Sequence, residues 1–252
     1  MNDARFSINV ITVRISDSYF RFEMSLQDKL VFLLEEINSV QASSTNTAEV
    51  HLLLVTKSAS LSQMQEAYDL GYRDFAESRV QALLEKKVQL PSDINWHFIG
   101  PLQSNKVNKI VGQVSLIHSV DSENLVLKIA ERSQELGITS QILLQVNTSG
   151  EDSKQGFTEE GCMQAFQALK DLPGIEIKGL MTIAPLTQDA KIVRNCFARL
   201  RKLRDSLKLL TKNEGAFPYL SMGMSQDYKI AIEEGATHLR IGSLLFSKSD
   251  RN

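Results

Sequence analysis

The residues between positions 220 and 243 have types and a spacing suited to binding an anion. A small-residue loop, 221–225, opens a predicted helix, whose free N–H groups and positive dipole end favour an anion. A second loop, Gly242 and Ser243, follows a predicted strand that delivers Arg240. We therefore predict a binding site for a phosphate monoester, which we call the cup. The simpler alternative is that Ser225 only caps the helix and Gly242 only occupies a turn. The residues predicted to form the cup are Ser221, Met222, Arg240, Gly242 and Ser243.

A lysine at the end of the first predicted strand could bring an amine to the same site. Because side chains alternate along a strand, Lys57 lies on the same side as Leu53 and Val55. Burial disfavours the charged form of a lysine and makes it a nucleophile towards aldehydes. An amine facing a phosphate cup predicts pyridoxal 5′-phosphate held as a Schiff base on Lys57. The alternative is a lysine that extends from the strand end into solvent.

The last predicted strand follows the same alternation. If Leu239 and Ile241 face the helices, His238 and Arg240 face the interior. An inward arginine stays charged and needs an anionic partner. Either the ligand phosphate or a carboxylate such as Glu77 would meet that need.

The elements that must position these residues alternate between strand and helix from about residue 25 onwards. This order favours a parallel sheet, and eight strands favour a (β/α)8 TIM barrel over an open doubly wound sheet. An open sheet would place its phosphate glycines after the first strand, whereas barrels often bind phosphate after strands seven and eight. The predicted strands are 50–56, 72–76, 95–99, 115–119, 141–146, 175–181, 218–220 and 237–241.

The first 24 residues do not fit this alternation. We predict that residues 25–252 form one barrel domain and that residues 1–24 are a poorly ordered extension. A start codon assigned too early, with Met24 as the true start, would explain the extension equally well.

Composition excludes several classes of protein. The chain has 252 residues and a net charge of −2, so no overall field recruits nucleic acid or an anionic membrane. Its two cysteines lack any disulfide or zinc spacing, and no apolar run approaches the ~18 residues of a membrane span. We expect a cytoplasmic monomer.

His97, His118 and His238 lie on three predicted strands, but no ligand spacing accompanies them, and we predict no metal site.

Several longer motifs resemble the pyridoxal phosphate homeostasis protein family, also called the PLP-binding protein family. The resemblance implies the barrel of the alanine racemase N-terminal domain, PLP on Lys57, and phosphate contacts from the serine loop, Arg240, Gly242 and Ser243. The matching motifs, spread from about residue 25 to 247, are Val55-Thr-Lys57, Trp96-His-Phe-Ile-Gly-Pro-Leu-Gln-Ser-Asn-Lys106, Ile117-His-Ser-Val-Asp121, Gln145-Val-Asn-Thr-Ser-Gly-Glu-Asp-Ser-Lys-Gln-Gly-Phe157, Gly179-Leu-Met-Thr-Ile-Ala-Pro185 and the segment 220–243.

The chain departs from the family pattern at three places. The usual Phe-Gly-Glu-Asn is Phe75-Ala-Glu-Ser78, so Ala76 and Ser78 replace a glycine and an asparagine. The usual Lys-Thr-Lys-Pro is Lys57-Ser-Ala-Ser60, and a glycine near the end is Ser247. The lysine and the phosphate groups remain, so Schiff-base formation should survive, while ring contacts from the missing asparagine are lost.

Three functions are compatible with these residues. The resemblance implies a protein that stores, buffers or hands PLP to dependent apoenzymes without substantial catalysis. We expect no second domain to supply the racemase tyrosine, which argues against two-base racemisation. The second hypothesis is a PLP enzyme of narrow activity (a slow racemase, transaminase or lyase) with Lys57 as the base. The third is a barrel enzyme that forms a Schiff base with a sugar phosphate.

Overall fold

Eight parallel strands close into a barrel in sequence order, and β8 pairs with β1. The computed structural model describes residues 24–46, 48–151, 155–211 and 217–246. The expectations for Ser247 and for the extension before Met24 lie outside these residues. The strands are β1 His51–Val55, β2 Asp74–Glu77, β3 Asn95–Phe98, β4 Leu116–Val120, β5 Ser140–Gln145, β6 Ile175–Met181, β7 Tyr219–Met224 and β8 His238–Ile241.

Helices follow the strands around the outside of the barrel, as the predicted (β/α)8 fold requires, and that prediction is confirmed. Across the described part of the chain, no helix has both the length and the apolarity needed to cross a membrane. The helices are α1 Leu26–Ser43, α2 Leu61–Asp69, α3 Val80–Lys87, α4 Val107–Ile110, α5 Glu123–Glu135, α6 Glu159–Leu169, α7 Ala190–Thr211, α8 Tyr228–Glu233 and α9 Ser243–Phe246.

Alternation divides the strand residues between two environments. Leu54, Phe75, Leu239 and Ile241 point outwards and are fully buried in the core between strands and helices. Inward residues fill the barrel, with His238 towards the amino ends of the strands and Arg240 at the carboxyl ends. The predicted parity of the last strand is therefore confirmed.

The seventh strand is longer than predicted. Residues 221–224 belong to β7, and the short helix α8 begins only at Tyr228 after a turn at 225–227. The prediction that the serine loop itself opens a helix is wrong. Serine and glycine have low strand propensity, but pairing with β6 and β8 overrides it, as in the pairs Met181 with Ser221 and Met224 with Arg240.

Gly223 makes this irregular strand possible. The register between β7 and β8 shifts between Ser221 and Met224, and Gly223 has a φ of +92°. A Cβ on Gly223 would lie 2.5 Å from the Cβ of Ala231, where neither partner can move easily. The bulge therefore requires glycine for both its backbone angle and its packing.

We expect Gly223→Ala to destabilise the fold much more than Gly71→Ala. Both glycines have a similar φ, +92° and +96°, but a Cβ on Gly71 meets nothing within 4 Å. Overpacking adds about 1–3 kcal/mol to the backbone penalty that the two changes share. Urea unfolding of the two variants measures the difference, and equal losses would contradict the packing argument.

Candidate functional site

The carboxyl ends of the strands surround an open cavity of about 1090 Å³, which we call the mouth. Four of the six residues predicted to bind a cofactor line it. Lys57 enters from the end of β1, and the other three come from β8 and the start of α9. The sequence prediction thus identified two sides of one cavity. The four lining residues are Lys57, Arg240, Gly242 and Ser243.

Lys57 lies in a tight turn that begins where β1 ends. The amide of Ala59 donates to the carbonyl of Thr56 at 3.0 Å, which closes a β-turn over Lys57 and Ser58. As predicted, Lys57 shares the inward side of the strand with Val55, and both line the mouth. The expectation that the lysine is buried is wrong, since its side chain is exposed at the rim, within reach of a ligand from solvent.

The sequence after Lys57 differs from the family pattern, and the structure gives a local explanation for the serine at position 60. Ser60 is the N-cap of α2 and forms a capping box with Gln63, with bonds of 3.2 Å from the Gln63 amide and 3.0 Å from the Ser60 amide. Ser60 therefore starts this helix at the position where the family pattern has a proline.

Arg240 is a buried cation at the base of the mouth. Its side chain donates to the Ser221 hydroxyl at 2.7 Å and to the Thr182 carbonyl at 2.9 Å. Among the described residues it forms no ion pair with a carboxylate; Asp227 attracts it only at longer range. Burial lowers the pKa of Arg240 to about 10, because the charged form loses solvation. A cation held in this way is stabilised by an anionic ligand.

The alternative partner for Arg240, Glu77, is engaged elsewhere. Its carboxylate is fully buried outside the barrel and accepts from Thr56 and Lys86. That alternative is therefore wrong, because strand parity turns Glu77 towards the helices.

Ser221 contacts Arg240 and is not part of the mouth lining. Because a guanidinium can only donate, the Ser221 oxygen accepts from Arg240, and the same hydroxyl forms a hydrogen bond with His118 Nδ1 at 2.8 Å. His118 Nε2 in turn forms a hydrogen bond with His97 Nδ1 at 3.0 Å. The far nitrogen of His97 lies 3.4 Å from Asp74. One chain of hydrogen bonds thus runs from Arg240 through the barrel interior.

Two buried histidines of the barrel interior, His118 and His238, are held neutral. Burial, followed by the nearby charges of His97, His238 and Arg240, keeps the pKa of His118 well below its usual value. Burial also lowers the pKa of His238 to about 3. The hydrogen bond from His97 lowers the pKa of Asp74. These two rings therefore supply polar partners without adding positive charge beneath Arg240.

The rings of His97, His118 and His238 do converge, with centroids 5.3–6.3 Å apart. Within the described chain, however, no group of three or more His, Cys, Asp or Glu side chains has an arrangement that could hold a metal ion. The strand spacing that brings the rings together leaves their nitrogens directed at hydrogen-bond partners.

Met222 differs from the other predicted site residues. Its side chain is fully buried in the core between barrel and helices, because its neighbour Ser221 points inwards. Only its backbone could serve a ligand. Gly242, in contrast, is required by close packing, since a Cβ there would lie 2.8 Å from the carbonyl oxygen of Val55.

Ala76 and Ser78, the two neighbours of Glu77 that differ from the family pattern, lie in different surroundings. Ala76 is fully buried and pairs with Val55 of β1 and His97 of β3. Ser78 follows the strand and donates its amide to Glu77 Oε2 at 3.2 Å. Ser78 also approaches Gly100 closely, because a Cβ on Gly100 would lie 1.9 Å from the Ser78 carbonyl oxygen.

The opposite wall of the mouth is apolar and was missed by sequence reasoning. Ile183, Leu186 and Met224 line it, and Leu186 is 89% exposed. Asp227 lies beside them; its carboxylate accepts from the Met224 amide at 2.6 Å, and burial raises its pKa. The only sequence signal was the position of these residues directly after strands six and seven.

Comparisons with known proteins agree with this geometry. Residues 33–250 match the family model described as "Alanine racemase, N-terminal domain". A pyridoxal phosphate homeostasis protein of Aquifex aeolicus is 42% identical over 198 residues, which cover 78% of this chain and 86% of that protein. One from Pseudomonas aeruginosa is 42% identical over 217 residues, covering 84% and 90%.

Solved structures show the same architecture. PipY of Synechococcus elongatus, solved with PLP bound, is 33% identical and superposes with a TM-score of 0.78, covering 88% of this chain and all of that one (100%). An alanine racemase of Clostridium difficile is 15% identical with a TM-score of 0.69 and shares the fold over 89% of this chain and 58% of its own. The chain therefore belongs to the alanine racemase N-terminal domain family and, within it, to the pyridoxal phosphate homeostasis proteins.

Proposed function

We propose that this protein binds pyridoxal 5′-phosphate in the mouth of the barrel and takes part in PLP homeostasis as a carrier or buffer. The observation that carries the proposal is that a reachable amine, Lys57, and a buried cation without an ion-paired carboxylate among the described residues, Arg240, line one cavity. PLP needs both, since it has an aldehyde and a phosphate. Residues 25–252 would form this single PLP-binding domain.

Each residue has a distinct task in this proposal. PLP supplies an aldehyde that forms a reversible covalent link with an amine. Lys57 would provide that amine, with one water released as the link forms. Arg240 supplies positive charge at the base of the mouth, and Ser221 holds its guanidinium in place. Gly242 and Ser243 line the same cavity at the start of α9, with backbone and hydroxyl groups suited to an anion.

The relatives support this choice of ligand. The Aquifex and Pseudomonas proteins carry the name pyridoxal phosphate homeostasis protein, and PipY was solved with PLP bound. PipY is similar along its whole length (100%), so the similarity extends beyond one motif. Ser78, which replaces the asparagine of the family pattern, is the position at which this chain would hold the cofactor with weaker ring contacts.

We further propose that the protein does not turn over a substrate. Among the described residues that line the mouth, Lys57 is the one amine, and none is a tyrosine, histidine or cysteine. Asp227 already accepts from a backbone amide. Two-base racemisation needs a second acid or base on the opposite face of the ring. A panel of amino acids should therefore give only trace racemase, transaminase or lyase turnover.

We also propose that the protein is a cytoplasmic monomer. Both cysteines, Cys162 and Cys196, are buried and form no disulfide, which fits a reducing compartment such as the cytoplasm. The exposed apolar side chains of the described residues are spread over several elements, which favours a monomer. We propose PLP-dependent apoenzymes as the recipients of the cofactor.

The test is to add PLP to the purified protein, reduce with borohydride and locate the adduct by peptide mass spectrometry. We expect a single major adduct on Lys57. A colourless protein with no adduct would favour the sugar-phosphate enzyme, while an adduct spread over surface lysines would contradict a specific site.

Replacing Arg240 should weaken PLP binding measurably. One charge-assisted contact contributes about 1.5–3 kcal/mol, so Arg240→Gln should raise the dissociation constant by about 10- to 150-fold. The control is Arg204→Gln, since Arg204 pairs with Asp205 on α7 rather than lining the mouth. Fluorescence titration with PLP measures both variants, and equal affinities would remove Arg240 from the site.

A further inference from the structure

A buried ion pair lies directly behind the turn that carries Lys57. Alternation on β2 turns Glu77 away from the barrel interior, and its side chain is fully buried. Its carboxylate accepts from the Thr56 hydroxyl at 2.9 Å and from the ammonium of Lys86 on α3. The Lys86 side chain is only 15% exposed, so the pair is shielded from solvent.

The same pair holds the hydroxyl and the carbonyl of Thr56, and the remaining polar atom of Thr56 is held by β2. The Thr56 amide donates to the Ala76 carbonyl at 3.0 Å, and its hydroxyl reaches Glu77. Its carbonyl accepts twice, from the Lys86 ammonium at 2.6 Å and from the Ala59 amide that closes the Lys57 turn. Thr56 itself has no exposed surface. Its orientation is therefore set by β2 and α3 together.

The Lys57 turn is thus held at both ends. Thr56 precedes the lysine and is held by the ion pair, while Ser60 follows and is held by the capping box of α2. Between these points the exposed side chain of Lys57 is free to move, but its Cα is not. A reactive group must be held in position by the residues around it.

A buried ion pair is a poor source of stability. Removing two charges from water often costs more than their attraction returns, and well-packed apolar residues would serve the fold as well or better. Lys86 does something that an apolar side chain cannot, since it donates to the backbone carbonyl before Lys57. This points to a role in geometry rather than in stability.

We propose that Lys86 and Glu77 are positioning residues for Lys57, and that they hold its turn in the orientation from which the amine reaches PLP. This inference rests on the proposed function. Neither residue lines the mouth or touches the ligand; both act through Thr56.

The decisive variant is the double substitution Lys86→Met with Glu77→Gln. It leaves no unpaired buried charge, and the amide oxygen of the new side chain still accepts from Thr56, so the fold is kept. What is lost is the donor to the Thr56 carbonyl, together with the acceptor for the Ser78 amide at the second carboxylate oxygen. Because small displacements of a reacting group are costly, we expect Schiff-base formation at Lys57 to slow by about 10- to 100-fold. Stopped-flow absorbance after PLP addition measures the rate.

A second readout needs no PLP. The Ala59 amide bonds to the same carbonyl as Lys86, so loosening the turn should expose it. We expect its hydrogen exchange in the double variant to rise at least about tenfold, while global exchange changes little. The single variant Lys86→Arg keeps a donor and a positive charge beside Glu77. It should therefore retain both the exchange protection of the Ala59 amide and the rate of Schiff-base formation at Lys57.

Arg73 and Asp93, an ion pair that is more exposed than Lys86 and Glu77, provide a control at the other end of β2. Arg73 donates to Asp93 at 3.0 Å and to the Tyr68 carbonyl at 2.7 Å, and Asp93 accepts the Tyr68 hydroxyl at 2.7 Å. The double change Arg73→Met with Asp93→Asn removes the same set of contacts far from the mouth. It should leave the rate of Schiff-base formation and Ala59 exchange unchanged.

The outcomes separate the two proposals. If the wild-type protein forms no adduct on Lys57, the proposed function fails and the positioning role fails with it. If the wild type reacts and the Lys86–Glu77 double variant matches it in both rate and Ala59 exchange, only the positioning role is overturned. An equal slowing in the Arg73–Asp93 control would likewise overturn it, because the effect would then be one of general stability.

Discussion

Lys57→Ala should abolish the Schiff-base absorbance that appears when PLP is added, and the borohydride adduct should disappear from the peptide that contains residue 57. The reason is chemical, since the variant lacks the one amine among the described residues that line the mouth. The fold should be unchanged, because the Lys57 side chain is exposed and the turn depends on backbone bonds of Thr56 and Ala59. Absorbance near the imine band and peptide mass spectrometry measure the two effects.

Two further variants make this result specific. Lys57→Arg keeps the positive charge but lacks a primary amine, so it should also fail to form the adduct. Lys109→Ala removes an exposed lysine from α4 and should behave as the wild type. Full absorbance in Lys57→Ala would assign the chemistry to another lysine.

The buried histidines should make the fold sensitive to mild acid. The pKa of His118 lies well below the ordinary value and that of His238 is about 3, in both cases mainly because burial disfavours the charged ring. Between about pH 6.5 and pH 3, the unfolded chain therefore binds protons that the folded protein does not, and stability falls as the pH falls. For two such rings, the free energy of unfolding should drop by about 3 to 4 kcal/mol from pH 7 to pH 5.

Urea unfolding at a series of pH values measures this loss. The pKa of Asp74 is lowered in the folded protein, so the stability that this carboxylate contributes is lost only below the range from pH 7 to pH 5. Burial raises the pKa of Asp227, so this group stabilises the folded protein as the pH falls and opposes the loss caused by the two histidines. His238→Asn should reduce the slope of stability against pH by about half, because one of the two rings is removed. Equal stability at pH 7 and pH 5 would show that the rings already accept protons in the folded barrel.

Local pattern was sufficient for the fold and for two sides of the site. Alternation along a strand has a period of two, so the inward positions of Lys57 and Arg240 followed from their neighbours. The order of strands and helices predicted the barrel, and within it the site at the carboxyl ends of the strands. Gly242 and Ser243 line the mouth, but Ser243 already begins helix α9 instead of belonging to a loop.

The remaining features around the mouth depend on residues that lie far apart in the sequence. Ser221 appeared to belong to a loop, but pairing with β6 and β8 makes it part of a strand and turns its hydroxyl towards Arg240 and His118. The contacts of Thr56 with Lys86, 30 positions later in the chain, were equally invisible. Propensity and periodicity report on neighbours within a few residues, whereas such contacts form only when barrel closure brings distant strands and helices together.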